Sequence, residues 1–245
     1  DSSGKVIRRF EGAPKPQADR PAAETPAGGR GGAPARVTTA KGMNRFTWDM
    51  RYPNAVEFPG LIFWAASTRG PIAPPGRYQV RVTANGVTKT QDFEIKRNTA
   101  VPGVTDADLH EQFALAMRIN ERVSDANRAV IRIREIKDSI SKRIGQTTNA
   151  KVKAAGEALI EKLTDVEGEI YQYRLRSSQD PLNYPIRLNN KLAALQGTVE
   201  SGDYRPTDQS YAVFKELSAR LDTQLARLEA LVKTDLAAFE KMAGR

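Results

Sequence analysis

The sequence predicts an α+β chain in two parts, a β-rich half over residues 1–100 and an antiparallel four-helix bundle over residues 101–245. Three observations predict it. Apolar and polar residues alternate with period two from Phe46 to Met50 and from Tyr78 to Val82, as in half-buried strands. Asn85-Gly86 closes the second run, and this dipeptide suits a type I′ hairpin turn because both positions take positive φ. Beyond residue 104 the period changes: Leu109, Phe113, Ala116, Val123, Val130, Ile133, Ile140 and Ile144 recur at three- and four-residue spacing, as on one helix face.

Taken in order, Asp1–Gly4 predicts a turn and Lys5–Phe10 a short strand. The stretch 11–35 is Pro, Ala and Gly with almost nothing to bury, and predicts a mobile loop inserted between strands. Further strands are expected over 44–51, 60–65, 77–84 and 87–96, with Trp48, Tyr52, Phe58, Phe63, Trp64 and Tyr78 as the core of the β half. Arg97–Gly103 is a linker. Thr105 then caps a helix running to about Gly145, with Asp106 and Asp108 at the positive end of its dipole. A second helix is expected from Ala150 to Arg176, stopped by Pro181 and Pro185. A third starts near Pro185 and ends at Ser201-Gly202; a fourth follows Pro206-Thr207 and carries Tyr211, Phe214, Leu217, Leu221, Leu225, Leu228 and Phe239. Four amphipathic stripes joined by short loops bury most simply against one another.

The chain has no cysteine, which excludes disulfides, thiolate metal sites and a cysteine nucleophile. No apolar run approaches the ~20 residues of a membrane helix, so no membrane span is expected. The net charge is +9, and it is unevenly placed: residues 1–104 carry 16 Lys and Arg against 8 Asp and Glu, residues 105–245 carry 22 against 21. The arginines of the β half alternate with buried-type residues, as on a solvated sheet face, and no nucleic-acid partner is expected. On the first helix Arg118, Arg122, Arg128, Arg132, Arg134, Lys137, Lys142 and Arg143 are interleaved with Glu121, Asp125, Glu135 and Asp138, again a solvated face.

Chemistry finds little to stand on. His110 is the only histidine, and a histidine metal site wants several ligands, so no metal is expected. Asp49 and Glu57 are the nearest approach to a carboxylate pair, but nothing in the sequence sets their separation, and Asp49 between Arg45 and Arg51 reads as an ion pair. There is no GxSxG, Walker-type loop or GxGxxG. The glycines around Arg30 follow no strand and open no helix. No catalytic set and no cofactor are expected.

Longer stretches carry a resemblance. DSSGKVIRRF, GMNRFTWDMRYPNA, FPGLIFW and RGPIAPPGRYQVRV with its hairpin resemble the C-terminal region of large bacterial VPS10/sortilin-like proteins, as do DLHEQFALAMRINERVSDANRAVIRIREIKD and the segment from PLNYPIRLNN to about Asp222. The resemblance covers nearly the whole chain apart from 11–35. That family comprises exported proteins with BNR (Asp-box) repeats, often labelled glycosyl hydrolases. It implies that β-propellers precede an immunoglobulin-like sandwich, similar to that of the flagellar hook-capping protein, whose second half would be residues 1–100. The implied role is a non-catalytic structural or interaction module of an exported propeller protein. The alternatives are the accessory end of a BNR-repeat glycoside hydrolase and part of a sortilin-like receptor. No family catalytic residue falls on this chain.

An immunoglobulin-like sandwich has about seven strands, and only five are found here. The turn at Asp1–Gly4 reads as the middle of a hairpin, as in a mature fragment or a piece of a longer chain. The expected interaction residues are therefore Lys5, Val6, Ile7, Arg8, Arg9 and Phe10. Their expected partner is the upstream propeller part of the same protein, or another protein chain.

Overall fold

The computed structural model describes Asp1, residues 3–12 and residues 36–244. The insert predicted over 11–35 lies, except for Glu11 and Gly12, outside the described residues. One antiparallel hairpin, β1 (Gly76–Ala84) and β2 (Val87–Ile95), precedes the helices α1 (Asp106–Gln146), α2 (Ala150–Ile170), α3 (Leu188–Val199), α4 (Asp208–Leu231) and α5 (Ala237–Met242); a π turn at Val232–Leu236 joins the last two. The architecture is α+β: a hairpin followed by packed helices.

Helix ends follow local chemistry. Thr105 and Asp108 form a capping box, the Thr105 hydroxyl accepting from the Asp108 amide and the Asp108 carboxylate from the Thr105 amide at 2.9 Å. The Thr105 hydroxyl, donating to the same carboxylate at 2.6 Å, and then the Thr105 amide hold the Asp108 carboxyl below its ordinary value. Asn149 and Thr207 cap α2 and α4 by accepting the Lys151 and Ser210 amides, without the reciprocal bond. The second helix ends at Ile170, well before the predicted Arg176, because Tyr171 turns extended at φ −136 and buries its ring edge-on against Phe58. The third begins at Leu188, after the extended Arg187, rather than at Pro185.

Contacts along the helices fix their directions. Gly156 of α2 lies against Ile140 and Ile144, and Glu167 pairs with Arg134 and Lys137, so α2 runs opposite to α1. The line continues through α3: Asn189 meets Asn127, and Gln112 donates to the Val199 carbonyl. Returning, α4 runs with α1, Tyr211 meeting Glu111, Asp222 Arg122 and Glu229 Arg132. The four helices thus form three rods, α2 and α3 sharing one, where the sequence reading places four side by side. At 41 residues α1 is about 60 Å long and can carry both partners end to end. The core between the rods is aliphatic, with Ile119, Val130, Ile133, Val166, Ile170, Leu192, Val199 and Leu221 at 0% exposure.

A two-legged strap, residues 50–73, covers the seam between α1 and α3. Its legs hydrogen-bond to each other: the Tyr52 amide to the Pro71 carbonyl at 2.8 Å, Ala55 to Thr68 at 2.8 Å, and Ala73 to Met50 at 2.7 Å. They approach so closely at Gly70 that a Cβ there would stand 1.9 Å from the Tyr52 carbonyl oxygen. Ala55 and Phe58 bury in the helical core, with Leu61 and Phe63 packed against it.

Further partners for the strap's backbone come from side chains of the helical part. Ser124 Oγ accepts from the Val56 amide at 3.1 Å, and Asn127 Nδ2 donates to the Val56 carbonyl at 2.6 Å. Asn190 takes the Trp64 amide at 2.7 Å and gives to the Trp64 carbonyl at 2.9 Å. Gln196 donates to the Arg69 carbonyl at 2.8 Å, and Glu200 accepts from the Ile72 amide at 2.7 Å.

The stretches 5–10, 44–51 and 60–65 do not form the predicted strands, and the described residues show no β-sandwich. Met50 and Ala65 take left-handed φ of 53 and 48, turning the chain at the end of two of those runs. Pro53, Pro59, Pro71, Pro74 and Pro75 also lack the amide hydrogen a ladder requires. The six aromatic residues expected in one core divide. Tyr52, Tyr78 and Trp48 form a small cluster with Ile7 and Phe113, Phe58 and Phe63 join the helices, and Trp64 is 37% exposed.

Leu192→Ala and Leu221→Ala, in the shared core, should each cost about 2–5 kcal/mol in urea melts, whereas Arg132→Ala on the solvated face should stay within about 0.5 kcal/mol. Equal losses from all three would remove the amphipathic-stripe argument. Gly70→Ala should cost about 3 kcal/mol or more because the clash is with backbone, and the same melts should show it; a near-neutral Gly70→Ala would mean that the legs do not meet there.

Candidate functional site

The residues singled out by the sequence, Lys5–Phe10, form no helix or strand and pair with no strand among the described residues. Asp1 organises the preceding turn: its carbonyl accepts the Gly4 amide at 3.0 Å and its carboxylate the Lys5 amide at 3.0 Å. Side chains then anchor the ribbon. Ile7 packs on the Tyr52–Tyr78 cluster, Arg8 pairs with Asp49 at 3.0 Å and lies 4.8 Å from the Phe10 ring centre, and Phe10 meets Phe46 at 4.5 Å. Lys5, Val6 and Arg9 face outward, Val6 with 63% of its surface exposed. The ribbon is thus fixed by side chains; Lys5 spends its amide and carbonyl on Asp1, and among the described residues Val6–Phe10 make no backbone hydrogen bond.

The hairpin beside it has the same character. Tyr78 stands opposite Phe93, Val80 opposite Gln91, Val82 opposite Lys89 and Ala84 opposite Val87, and Asn85 and Gly86 turn at φ 50 and 78. Period-two alternation places Tyr78, Val80, Val82, Ala84, Val87 and Phe93 on one face, with Lys89 and Gln91 among them. The base of that face is covered: Trp48 lies 6.2 Å from Tyr78 and 6.3 Å from Phe93, and Tyr78 donates its hydroxyl to the Pro74 carbonyl at 2.6 Å. Above the base Val80, Val82 and Val87 are 46%, 58% and 59% exposed. The other face is polar, with Gln79 bonded to Asp92 at 3.0 Å and Thr83 to Thr88 at 2.9 Å.

The carboxylates considered for acid–base chemistry take separate partners, Asp49 with Arg8 and Glu57 with Thr68. Arg51, expected beside Asp49, makes its ion pair with Glu200 at 3.5 Å and donates to the Gly70 carbonyl at 2.8 Å, although its amide does reach Asp49. His110 is exposed on the first helix. Among the described residues no group of three or more His, Asp or Glu could hold a metal ion, and no helix is long and apolar enough to cross a membrane. The arginines of α1 are balanced largely across helices, Arg122 by Asp222 as well as Asp125, Arg132 by Glu229, and Arg134 by Glu167.

The sequence reading missed the polar residues that hold the strap. Ser124 and Asn127 interrupt the apolar stripe of α1 three residues apart, beside the buried Asn120, and Asn190 and Gln196 are buried on α3, where Asn189 braces Asn127. Polar residues at core spacing were the available signal. Comparison with protein families, curated proteins and solved structures returns no match for this chain.

Burial at the foot of the hairpin raises the Tyr78 phenol to about 12, with Tyr52 contributing through its charge. A phenol whose folded value lies above its unfolded value near 10 stabilises the fold below pH 10, and that contribution is lost as pH rises toward 12. Absorbance titration should therefore show a late-ionising tyrosine that Tyr78→Phe removes. Ordinary ionisation of every tyrosine near pH 10 would contradict the packing at the hairpin base.

Proposed function

We propose that this chain is a non-catalytic interaction module of a large exported β-propeller protein, in which the hairpin and the Lys5–Phe10 ribbon complete an immunoglobulin-like sandwich with strands supplied from elsewhere in the assembly. The single observation that carries the reading is the apolar hairpin face, seated on Trp48 at its base and open over Val80, Val82 and Val87. An isolated two-stranded sheet is marginal in water, and three or more strands or a packed face are what normally sustain one. Free strand edges beside an open apolar face are what a further β layer covers.

Two further observations support it. The Lys5–Phe10 ribbon is already held by Arg8–Asp49 and Phe10–Phe46, so a strand laid against it has little ordering left to cost. The β-rich half is basic in sequence, residues 1–104 carrying 16 cationic against 8 acidic side chains, which fits a partner surface with an acidic rim. Asp49 and Glu57, each engaged by its own partner, fit a binding role better than an acid–base pair. The exported location and the propeller partner rest on the resemblance set out above.

The free chain should bind a hydrophobic dye or self-associate, and Val80→Thr with Val82→Thr should remove at least half of that signal while the helical melting transition stays in place. In the longer polypeptide the amides of Lys5–Phe10 should exchange more slowly than in the free chain. A monodisperse monomer that binds no dye would contradict the reading, as would unchanged exchange of those amides in the longer protein.

A further inference from the structure

An open depression of about 430 Å³ lies between the tip of the strap and the chain that leaves α2, walled by Pro59, Ile62, Tyr171, Tyr173, Arg134 and Arg176 among others. Its two charged wall residues are arginines, and no carboxylate lines it. Each guanidinium is fixed by groups that leave part of it uncommitted. Glu167, with 3% of its side chain exposed, accepts from Arg134 Nε at 2.8 Å and from Lys137 Nζ at 3.0 Å. The Arg134 guanidinium carbon stands 4.7 Å from the Phe58 ring centre and 5.5 Å from that of Tyr171. Tyr171 is itself tied to the strap, receiving the Ile62 amide at 3.3 Å and donating to the Gly60 carbonyl at 3.2 Å.

Arg176 Nη1 donates to the Tyr173 and Leu175 carbonyls at 3.0 and 3.1 Å. Among the described residues the η nitrogens of Arg134, and Nε and Nη2 of Arg176, have no hydrogen-bond partner. Arg134, Lys137, Arg174 and Arg176 outnumber the carboxylates of the same neighbourhood, Glu167 and Asp180. The residual charge is positive, and the remainder of the wall is aromatic and aliphatic.

A guanidinium matches a planar carboxylate with two parallel donors, and one already held in place loses little freedom on binding. The half-buried Tyr173 ring, with Pro59 and Ile62, favours a flat apolar group beside that charge. We propose that this depression binds a small carboxylate carrying a flat apolar group, with Arg134 and Arg176 taking the carboxylate and Tyr173, Pro59 and Ile62 taking the flat group. The site lies on the helical side of the molecule and is independent of the module role proposed for the hairpin.

Calorimetric titration of the whole chain with phenylacetate, and with its neutral isostere phenylacetamide at matched ionic strength, tests the assignment. Phenylacetate should give saturable heat and phenylacetamide none, and Arg176→Gln should weaken phenylacetate binding by about tenfold or more, the equivalent of one charge-assisted contact. In the unsubstituted chain, phenylacetate should also shift the Nε–H resonances of Arg134 and Arg176 and leave that of Arg132 in place, a readout that does not depend on how the variant folds. Heats that fail to saturate by about 10 mM, ten times a millimolar Kd, overturn the proposal. Equal binding of acid and amide, or shifts that spare both wall arginines, overturn it as well.

Discussion

The structure depends on side-chain hydrogen bonds to the backbone of one extended segment. A chain that crosses a helical surface without strand neighbours brings amide and carbonyl groups into a region where leaving them unpaired costs about 1–3 kcal/mol each. Residues 50–73 cross such a surface, and Ser124, Asn127, Asn190, Gln196 and Glu200 supply partners to the backbone of Val56, Trp64, Arg69 and Ile72. The requirement is reciprocal. Asn127 and Asn189 are 0% exposed, and without the strap Asn127 would lose the Val56 carbonyl and keep only Asn189. Strap and helices are each other's hydrogen-bond complement, which makes them one cooperative body.

Several other features follow from that complement. The second helix stops at Ile170, where Tyr171 turns to reach Gly60 and Ile62 at the strap's tip. Phe58 enters the helical core under Arg134, whose charge is matched by the buried Glu167. The strap's feet, at Met50–Tyr52 and Pro71–Ala73, carry the small Tyr52–Tyr78 cluster and thereby set the hairpin against Phe113 and Met117 of α1. Among the described residues the distal hairpin and the outer side of the Lys5–Phe10 ribbon stay uncovered, with Val80, Val82, Val87 and Val6 exposed.

Legibility in the sequence tracked how local the determining interaction is. The Asn85-Gly86 hairpin and the Thr105 cap depend on residues within three positions and were read to within a residue or two. The aliphatic stripes were read correctly in kind, yet Leu115 and Ile119, both essentially buried, were left out because neighbours on more than one side broaden the apolar face of α1. The three-rod arrangement was hidden because α2 and α3 resemble independent helices until their contacts are seen to fall in series along α1. Within the strap only 60–65 and the end of 44–51 are expected as strand: the Ile62 and Trp64 amides pair instead with Tyr171 and Asn190 far away in the chain, and Met50 and Ala65 turn in a conformation that composition does not announce. The polar interruptions at Ser124 and Asn127 were the clue, and a lone polar residue on a helix stripe is too common to be decisive by itself.

Native-state amide hydrogen exchange tests the complement between strap and helices most directly. The amides of Val56 and Trp64, bonded to Ser124 and Asn190, should exchange with opening free energies close to those of Val123 and Val130 in the middle of α1. Exchange of Val56 and Trp64 at the rate of an exposed loop, with Val123 and Val130 still protected, would show that the helices stand without the strap and would contradict the account.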